Sequence, residues 1–477
     1  MVLEAARSGT PAAIMTGSGA SMMAVHSHRL SSVVPSSVTG DSVDYELADA
    51  DLLHKLHYLH AAHVFRAPAP GDVALTVRAL KEPMFPWLDV YFPVAGRLRR
   101  REEVTGAGDG GGDSGGEAAL AGRPYVRCND CGVRVVEADC DATVDECMEA
   151  EAERGGMCGA LCYDKVVGPE LFFSPLLYVQ ITRFKCGGLA IGFTWAHVIG
   201  DIPSAAACFR AWTQLVSGNK PLYPTLRDPA AVLPTVTPPA SAKKAPPPSV
   251  KLAAAPVGDH WAVPTGGHDM APFSFHVTEQ QLEALRVSVG KGSSGCHVGP
   301  FELISALTWR ALAAIRGAQD HEEEEEATRT VTVVKAGAAA SGGGGLSNDH
   351  RIGHVVAAGP VPPAEAGVGK LVALLAGARL DEGEAAAAVA AAGGGDVVVY
   401  GANLTFVDAG GVDVYGGMEL AGRRPAHVEY AVAGVGGGGA AVVHRDAGGR
   451  GRTVAAVVRR GEVDHLRAAL RDALRVA

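Results

Sequence analysis

The sequence holds no stretch of about 18 uncharged apolar residues, the length at which a membrane-spanning helix is read. Its best candidate, around Leu176–Ile199, is interrupted by Arg183 and Lys185. The segment from Met1 to about Ser37 lacks the basic region, apolar stretch and small-residue cleavage site of a secretory leader, so residues 1–27 read as a loose tail. Positive charge is also short: 42 Lys and Arg stand against 52 Asp and Glu, a formal net charge of −10. With no basic field to hold a polyphosphate backbone, nucleic acid is excluded as a partner.

Paired cysteines are missing too. The nine cysteines are an odd number in a chain without a leader, which points to free thiols in a reducing compartment, the cytoplasm. Cys128 and Cys131 have the C-x-x-C spacing of a zinc knuckle, yet Cys140, Cys147, Cys158 and Cys162 supply no second such pair. All six read as buried small hydrophobes, and no metal is expected. No serine or cysteine sits in a recognisable nucleophile elbow, and Gly342–Gly345 lacks the lysine and helix of a phosphate loop. The scattered histidines show no ligand spacing with a third partner.

What is there is a 477-residue chain with 47% apolar content, enough for two domains. Low-complexity stretches mark the breaks: Thr105–Glu117, the proline-dense run Pro221–Pro248, and Gln319–Gly345 with its acidic block Glu322–Glu326. Proline cannot donate to a ladder or sit inside a helix, so residues 221–250 are the interdomain crossover. The expected units are a tail at 1–27, an N-terminal domain at 28–220, that crossover, and a C-terminal domain at 251–477. Strand-like patterns occur at Leu177–Thr182, Leu189–Trp195, Thr330–Val334, Val397–Phe406 and Thr453–Val458. Helical signals occur at the capping box Thr278/Gln281, at Pro300–Gly317 and at Glu462–Arg475. The fold class is α/β, with two domains built on mixed sheets.

The most informative segment is Leu176–Gly218. Two alternating runs flank the turn Lys185-Cys186-Gly187-Gly188, and a period of two carries His197 onto the inward face of Leu189, Ile191, Phe193 and Trp195. Asp201 and Pro203 then open a helix striped by Phe209, Trp212 and Val216. A neutral imidazole there can take the proton of a hydroxyl or amine attacking a thioester. A histidine at the inner end of a strand also serves as a satisfied core residue, and spacing alone leaves both readings open. Asp201 reads as structural, capping the helix or pairing with an arginine.

His197-Val198-Ile199-Gly200-Asp201, with its lead-in Val179–Gly188, resembles the H-x-x-x-D motif of the BAHD acyltransferases of plants. Tyr91–Leu98 is similar to that family's "YPLAGRL" turn, and Phe301–Ala311 to its "FEALTAHVWRA" helix. The resemblance covers most of residues 28–477. It implies two similar domains, chloramphenicol-acetyltransferase-like, with a tunnel at their interface that brings acyl-CoA and acceptor to His197. It also implies acyl-CoA as substrate or ligand, no permanently bound cofactor, and a monomer. Two departures stand out. Ile202 follows the aspartate where the family has glycine, and the second motif, D-F-G-W-G, survives as Asp413-Val414-Tyr415-Gly416-Gly417, without its tryptophan. Asp413 and Gly417 are its candidate contacts beside the CoA channel.

Within the family, His28–Pro35, Tyr45–Tyr58 and Asn403–Asp408 look most like the eceriferum and Glossy wax-deficiency clade. That likeness implies promotion of very-long-chain acyl elongation for cuticular wax, beside a membrane-bound condensing enzyme of the fatty-acid elongase at the endoplasmic reticulum. The alternative is an active O- or N-acyltransferase in which His197 is the general base and Asp201 its structural support.

Overall fold

The computed structural model describes residues 24–40, 43–71, 74–102, 122–154, 156–221, 246–290, 298–318, 326–335, 345–380, 388 and 395–476. The three low-complexity stretches fall largely outside them. In chain order the strands of the first half are β1 (Val25–Val33), β2 (Asp44–Tyr45), β3 (Tyr58–Phe65), β4 (Arg97–Arg100), β5 (Pro124–Arg127), β6 (Val133–Cys140), β7 (Leu177–Phe184) and β8 (Leu189–Ala196). Those of the second half are β9 (Lys251–Leu252), β10 (Met270–Val277), β11 (Thr330–Lys335), β12 (Arg351–Val356), β13 (Val397–Val398), β14 (Leu404–Asp408), β15 (His427–Ala433), β16 (Ala440–Arg445) and β17 (Arg452–Arg459).

They build two six-stranded sheets, ordered β1-β6-β7-β8-β3-β15 and β10-β17-β16-β14-β11-β12. Each is mixed, with β6–β7 parallel in the first and β16–β14–β11 parallel in the second. The first sheet is completed from the far end of the chain, since β15 pairs antiparallel with β3 from His427↔Val64 to Ala433↔Tyr58. The chain therefore does not divide into a first sheet made only of residues before the crossover and a second made only of residues after it. The tail also ends earlier than its expected boundary at residue 27, because β1 begins at Val25.

Strand β8 is buried on both faces, so its alternation is of size rather than polarity. Leu189, Ile191, Phe193 and Trp195 fill the main core, where Phe193 packs edge-on to Phe209 with ring centroids 5.1 Å apart. The opposite face carries Ala190 and Gly192, and a Cβ on Gly192 would stand 1.8 Å from the Leu161 carbonyl oxygen. Small residues there let the helix Cys158–Leu161 lie directly on the strand.

Most expected elements form as read. Thr278 and Gln281 close a reciprocal box, Thr278 N donating to Gln281 Oε1 at 2.9 Å and Gln281 N to Thr278 Oγ1 at 3.2 Å, at the start of helix Glu279–Gly290. Helices Pro300–Gly317 and Val463–Val476 cover the second sheet. Two expectations fail. Cys131 is exposed in the connection between β5 and β6, not buried like Cys128. The run Val397–Phe406 is not one strand: β13 stops at Val398 and β14 starts at Leu404. The break is enforced at Gly401, whose φ is +84° and where a Cβ would meet Gly436 backbone atoms at 2.3–2.6 Å.

Candidate active site

His197 follows β8 directly, in a single 3-10 turn, His197–Ile199. Its backbone is held from both sides, His197 N donating to His57 O at 3.1 Å and Asn348 Nδ2 donating to His197 O at 2.9 Å. Gly200 ends the turn at φ +155°, where a Cβ would crowd Ser204 Cβ at 2.7 Å. Asp201 then caps helix Ile202–Val216, accepting from Ser204 N at 3.1 Å. Its other oxygen accepts from Asp349 N at 3.3 Å and faces His350 Nδ1 at 3.5 Å. Asp201 is thus the expected helix cap, though its side-chain partner is a histidine rather than an arginine. No hydrogen bond joins it to His197 among the described residues. Burial alone would push its carboxyl up, but the contacts from His350, Ser204 N and Asp349 N outweigh that and hold it below the usual range.

The His197 ring is 1% exposed. It lies stacked on His54, centroids 4.5 Å apart and planes at 15°, and meets His350 edge-on at 5.5 Å. His54 and His350 touch through their Nε2 atoms at 2.9 Å. Behind them His57 receives Val399 N on Nε2 at 3.0 Å, so its proton sits on Nδ1, which donates to Gly434 O at 2.7 Å. Burial, joined by the neighbouring His350, lowers His197 to about 3; burial, partly offset by the bond to Gly434 O, takes His57 to about 4. His54 also falls well below the ordinary histidine value, through burial and then through His197. His197 and His57 are therefore neutral at physiological pH.

The remaining neighbour of His197 is Tyr400, whose hydroxyl is hydrogen-bonded to His197 Nε2 at 3.0 Å. Burial raises the Tyr400 hydroxyl well above the phenol range, so it stays protonated. His54, His197 and His350 place one nitrogen each within 4.8 Å of one another, a distance compatible with a metal. Their orientation is not. A bound ion lies in the plane of each imidazole, and the nearly parallel planes of His54 and His197 meet only far from either nitrogen. As placed, the three rings are a packed imidazole cluster.

The sequence reading found His197 and Asp201 and missed His54, His57, Asn348, His350 and Tyr400. Contrary to the expectation that the scattered histidines have no third partner, folding gathers three of them. The signal available was the histidine-dense stretch His54–His60, but nothing in the spacing joins it to residue 350. Asp413 and Gly417 lie at one remove. Arg210, on the helix that Asp201 caps, donates to Asp413 O at 2.6 Å and Gly416 O at 2.8 Å, and Thr213 donates to Gly417 O at 3.1 Å. The Asp413 carboxylate turns back on its own loop, accepting from Tyr415 N and Gly416 N at 3.1 and 2.8 Å.

An open cavity of about 780 Å³ lies in the second half, lined among others by Lys251, His268, Arg316, Asn403 and Arg459. Val398 and Gly401–Leu404 form part of its wall, so the turn that carries Tyr400 borders it. His197 does not line it.

The Transferase family model matches residues 115–336. Protein ECERIFERUM 26 of Arabidopsis thaliana is 34% identical over 449 residues, covering 93% of this chain and 94% of that protein. The chain belongs to the BAHD transferase family. Its architecture agrees with solved structures at low identity: vinorine synthase superposes with a TM-score of 0.62 at 18% identity, covering 93% of this BAHD chain and 96% of that one. TRI101 of F. graminearum, solved with ethyl coenzyme A, gives 0.60 at 14%, covering 89% and 97%. The BAHD chain thus has the chloramphenicol-acetyltransferase-like fold expected of it, while the cavity described above does not reach His197, where the tunnel was expected. Among its described residues no helix is long and apolar enough to cross a membrane.

Proposed function

We propose that this BAHD protein promotes elongation of very-long-chain acyl chains for cuticular wax, binding acyl-CoA without depending on His197 as a base. Its likeness to ECERIFERUM 26 over nearly the whole chain motivates the reading. The observation that carries it is the occupied Nε2 of His197: it is already hydrogen-bonded to the Tyr400 hydroxyl at 3.0 Å, inside a ring cluster that leaves the residue 1% exposed. A general base needs the acceptor's proton within about 2.6–3.2 Å and a pKa near the working pH, whereas His197 sits at about 3.

Acyl-CoA binding falls to the 780 Å³ cavity, whose size suits a cofactor-sized ligand and whose wall carries Lys251 and Arg459 for phosphate groups. Asp413 and Gly417, by bracing helix Ile202–Val216, support the site mechanically rather than touching CoA. The partner is a membrane-bound condensing enzyme, which places this protein at the cytoplasmic face of the endoplasmic reticulum. The intact His197 and Asp201 motivate the competing reading, acyl transfer from CoA to a small alcohol or amine.

The test is the wax profile of a deficient plant complemented with His197→Ala. Full restoration of the longest chains is the expected result. Failure to restore them by a variant that accumulates in folded form would overturn this reading in favour of acyl transfer.

A further inference from the structure

Tyr400 is fixed by more bonds than a core tyrosine requires. Val399 N and Tyr400 N both point at His57 Nε2, at 3.0 and 3.3 Å, and Gly436 N donates to Tyr400 O at 2.9 Å. Thr405 Oγ1 donates to Val399 O at 3.3 Å, and Gly401 turns the chain at φ +84° where no Cβ fits. With its backbone held, the phenol is aimed away from the cavity its chain neighbours line and onto the imidazoles. Its ring centroid stands 4.8 Å from that of His57, 5.3 Å from His54 and 5.4 Å from His197. The one hydrogen-bonding atom the side chain owns ends on His197 Nε2.

That position is the one an acyl acceptor must take. In general-base transfer the acceptor hydroxyl gives its proton to Nε2 while its oxygen bonds to the thioester carbonyl carbon. The C–S bond then breaks, and the departing thiolate takes the proton back from the imidazolium to give free CoA. A second hydroxyl cannot occupy the space the phenol fills. Nor is the phenol an easy substitute acceptor, since burial favours its protonated form.

We propose that Tyr400 is the residue that keeps His197 out of acyl transfer, occupying the acceptor's place as a built-in stopper. The idea rests on the reading above, in which transfer is dispensable, and turns it into a statement about one side chain. It assigns the difference between a transferase and an elongation-promoting BAHD protein to a tyrosine delivered by the turn between β13 and β14.

The experiment uses the full chain with stearoyl-CoA and octanol and follows the release of CoA thiol with a thiol reagent. Wild type is expected to stay at the background of His197→Ala. Tyr400→Ala is expected to release CoA faster than Tyr400→Ala/His197→Ala by on the order of 10²-fold, the usual contribution of a positioned base. Tyr400→Val serves the same comparison if the alanine variant does not melt cooperatively. Three results would overturn the proposal: His197-dependent release by wild type, a folded Tyr400 truncation no faster than its double variant, or an acyl adduct on Tyr400 in the intact mass. The wild-type arm needs no variant at position 400 to fold. Because the plant test reads only His197→Ala, a failure there and a failure here are separable.

Discussion

Lowering the pH from about 8 to about 5 should strongly destabilise this protein, because it buries neutral histidines it cannot charge in place. In the folded chain burial holds His57 and His444 at about 4 and His63 and His197 at about 3, against an ordinary value of 6.5 for each. These are depressed bases: the unfolded chain binds their protons first, so stability is full above about pH 6.5 and is lost as the pH falls toward the folded values. Between those limits each ring contributes a slope of about 1.4 kcal/mol per pH unit. Four rings give a ceiling of about 5 kcal/mol per unit, against a total stability of about 5–15 kcal/mol for a folded protein. The assay is the urea midpoint measured from about pH 8 to about pH 5.5. It should be flat above about pH 7 and fall steeply below about 6.5. His63, stacked on Phe209 at 3.9 Å, offers the control: His63→Phe removes one titrating ring and should reduce the acid slope by about 1.4 kcal/mol per pH unit. A midpoint that does not move between about pH 7 and about pH 5.5 would refute the reasoning.

Two further outcomes are expected. Arg316 donates to both oxygens of Glu462, at 2.7 and 3.0 Å, with side chains only 6% and 2% exposed; Glu462→Gln leaves a buried guanidinium without its countercharge and should cost about 3–5 kcal/mol in urea unfolding, while Glu279→Gln, at the exposed Arg450 pair, should change stability by less than about 1 kcal/mol. His57→Ala strands Gly434 O and the amides of Val399 and Tyr400, which should cost about 1–3 kcal/mol per orphaned group and speed hydrogen exchange at Val399 and Tyr400 relative to β14.

The local parts of this site were legible. A glycine turn between two alternating runs gave β7 and β8, and a Asp-x-Pro start gave the helix after His197, because neighbouring residues alone decide both. The surroundings of the imidazole were not. His54 lies 143 residues before His197, and His350 and Tyr400 lie 153 and 203 residues after it, and no periodicity encodes that they meet. Tyr400 was hidden by its own context: Val397–Phe406 alternates like a strand, and only the close approach of Gly436 to Gly401 shows that the chain must turn there. Fold class was readable from the mixture of periods, but not the transfer of β15 into the first sheet, which is a long-range pairing that any edge strand could in principle accept.

That transfer has a consequence for how the protein is made. As the ribosome delivers the chain, β3 emerges early, with β8 soon available on one side, while its other edge waits for His427–Ala433 to appear. Some 360 residues must be translated in the interval, during which a strand that is buried and largely apolar in the folded chain presents unpaired amides to its surroundings. Nascent chains halted after the crossover should need holding by a chaperone, and neither half expressed alone is expected to behave as a stable fragment.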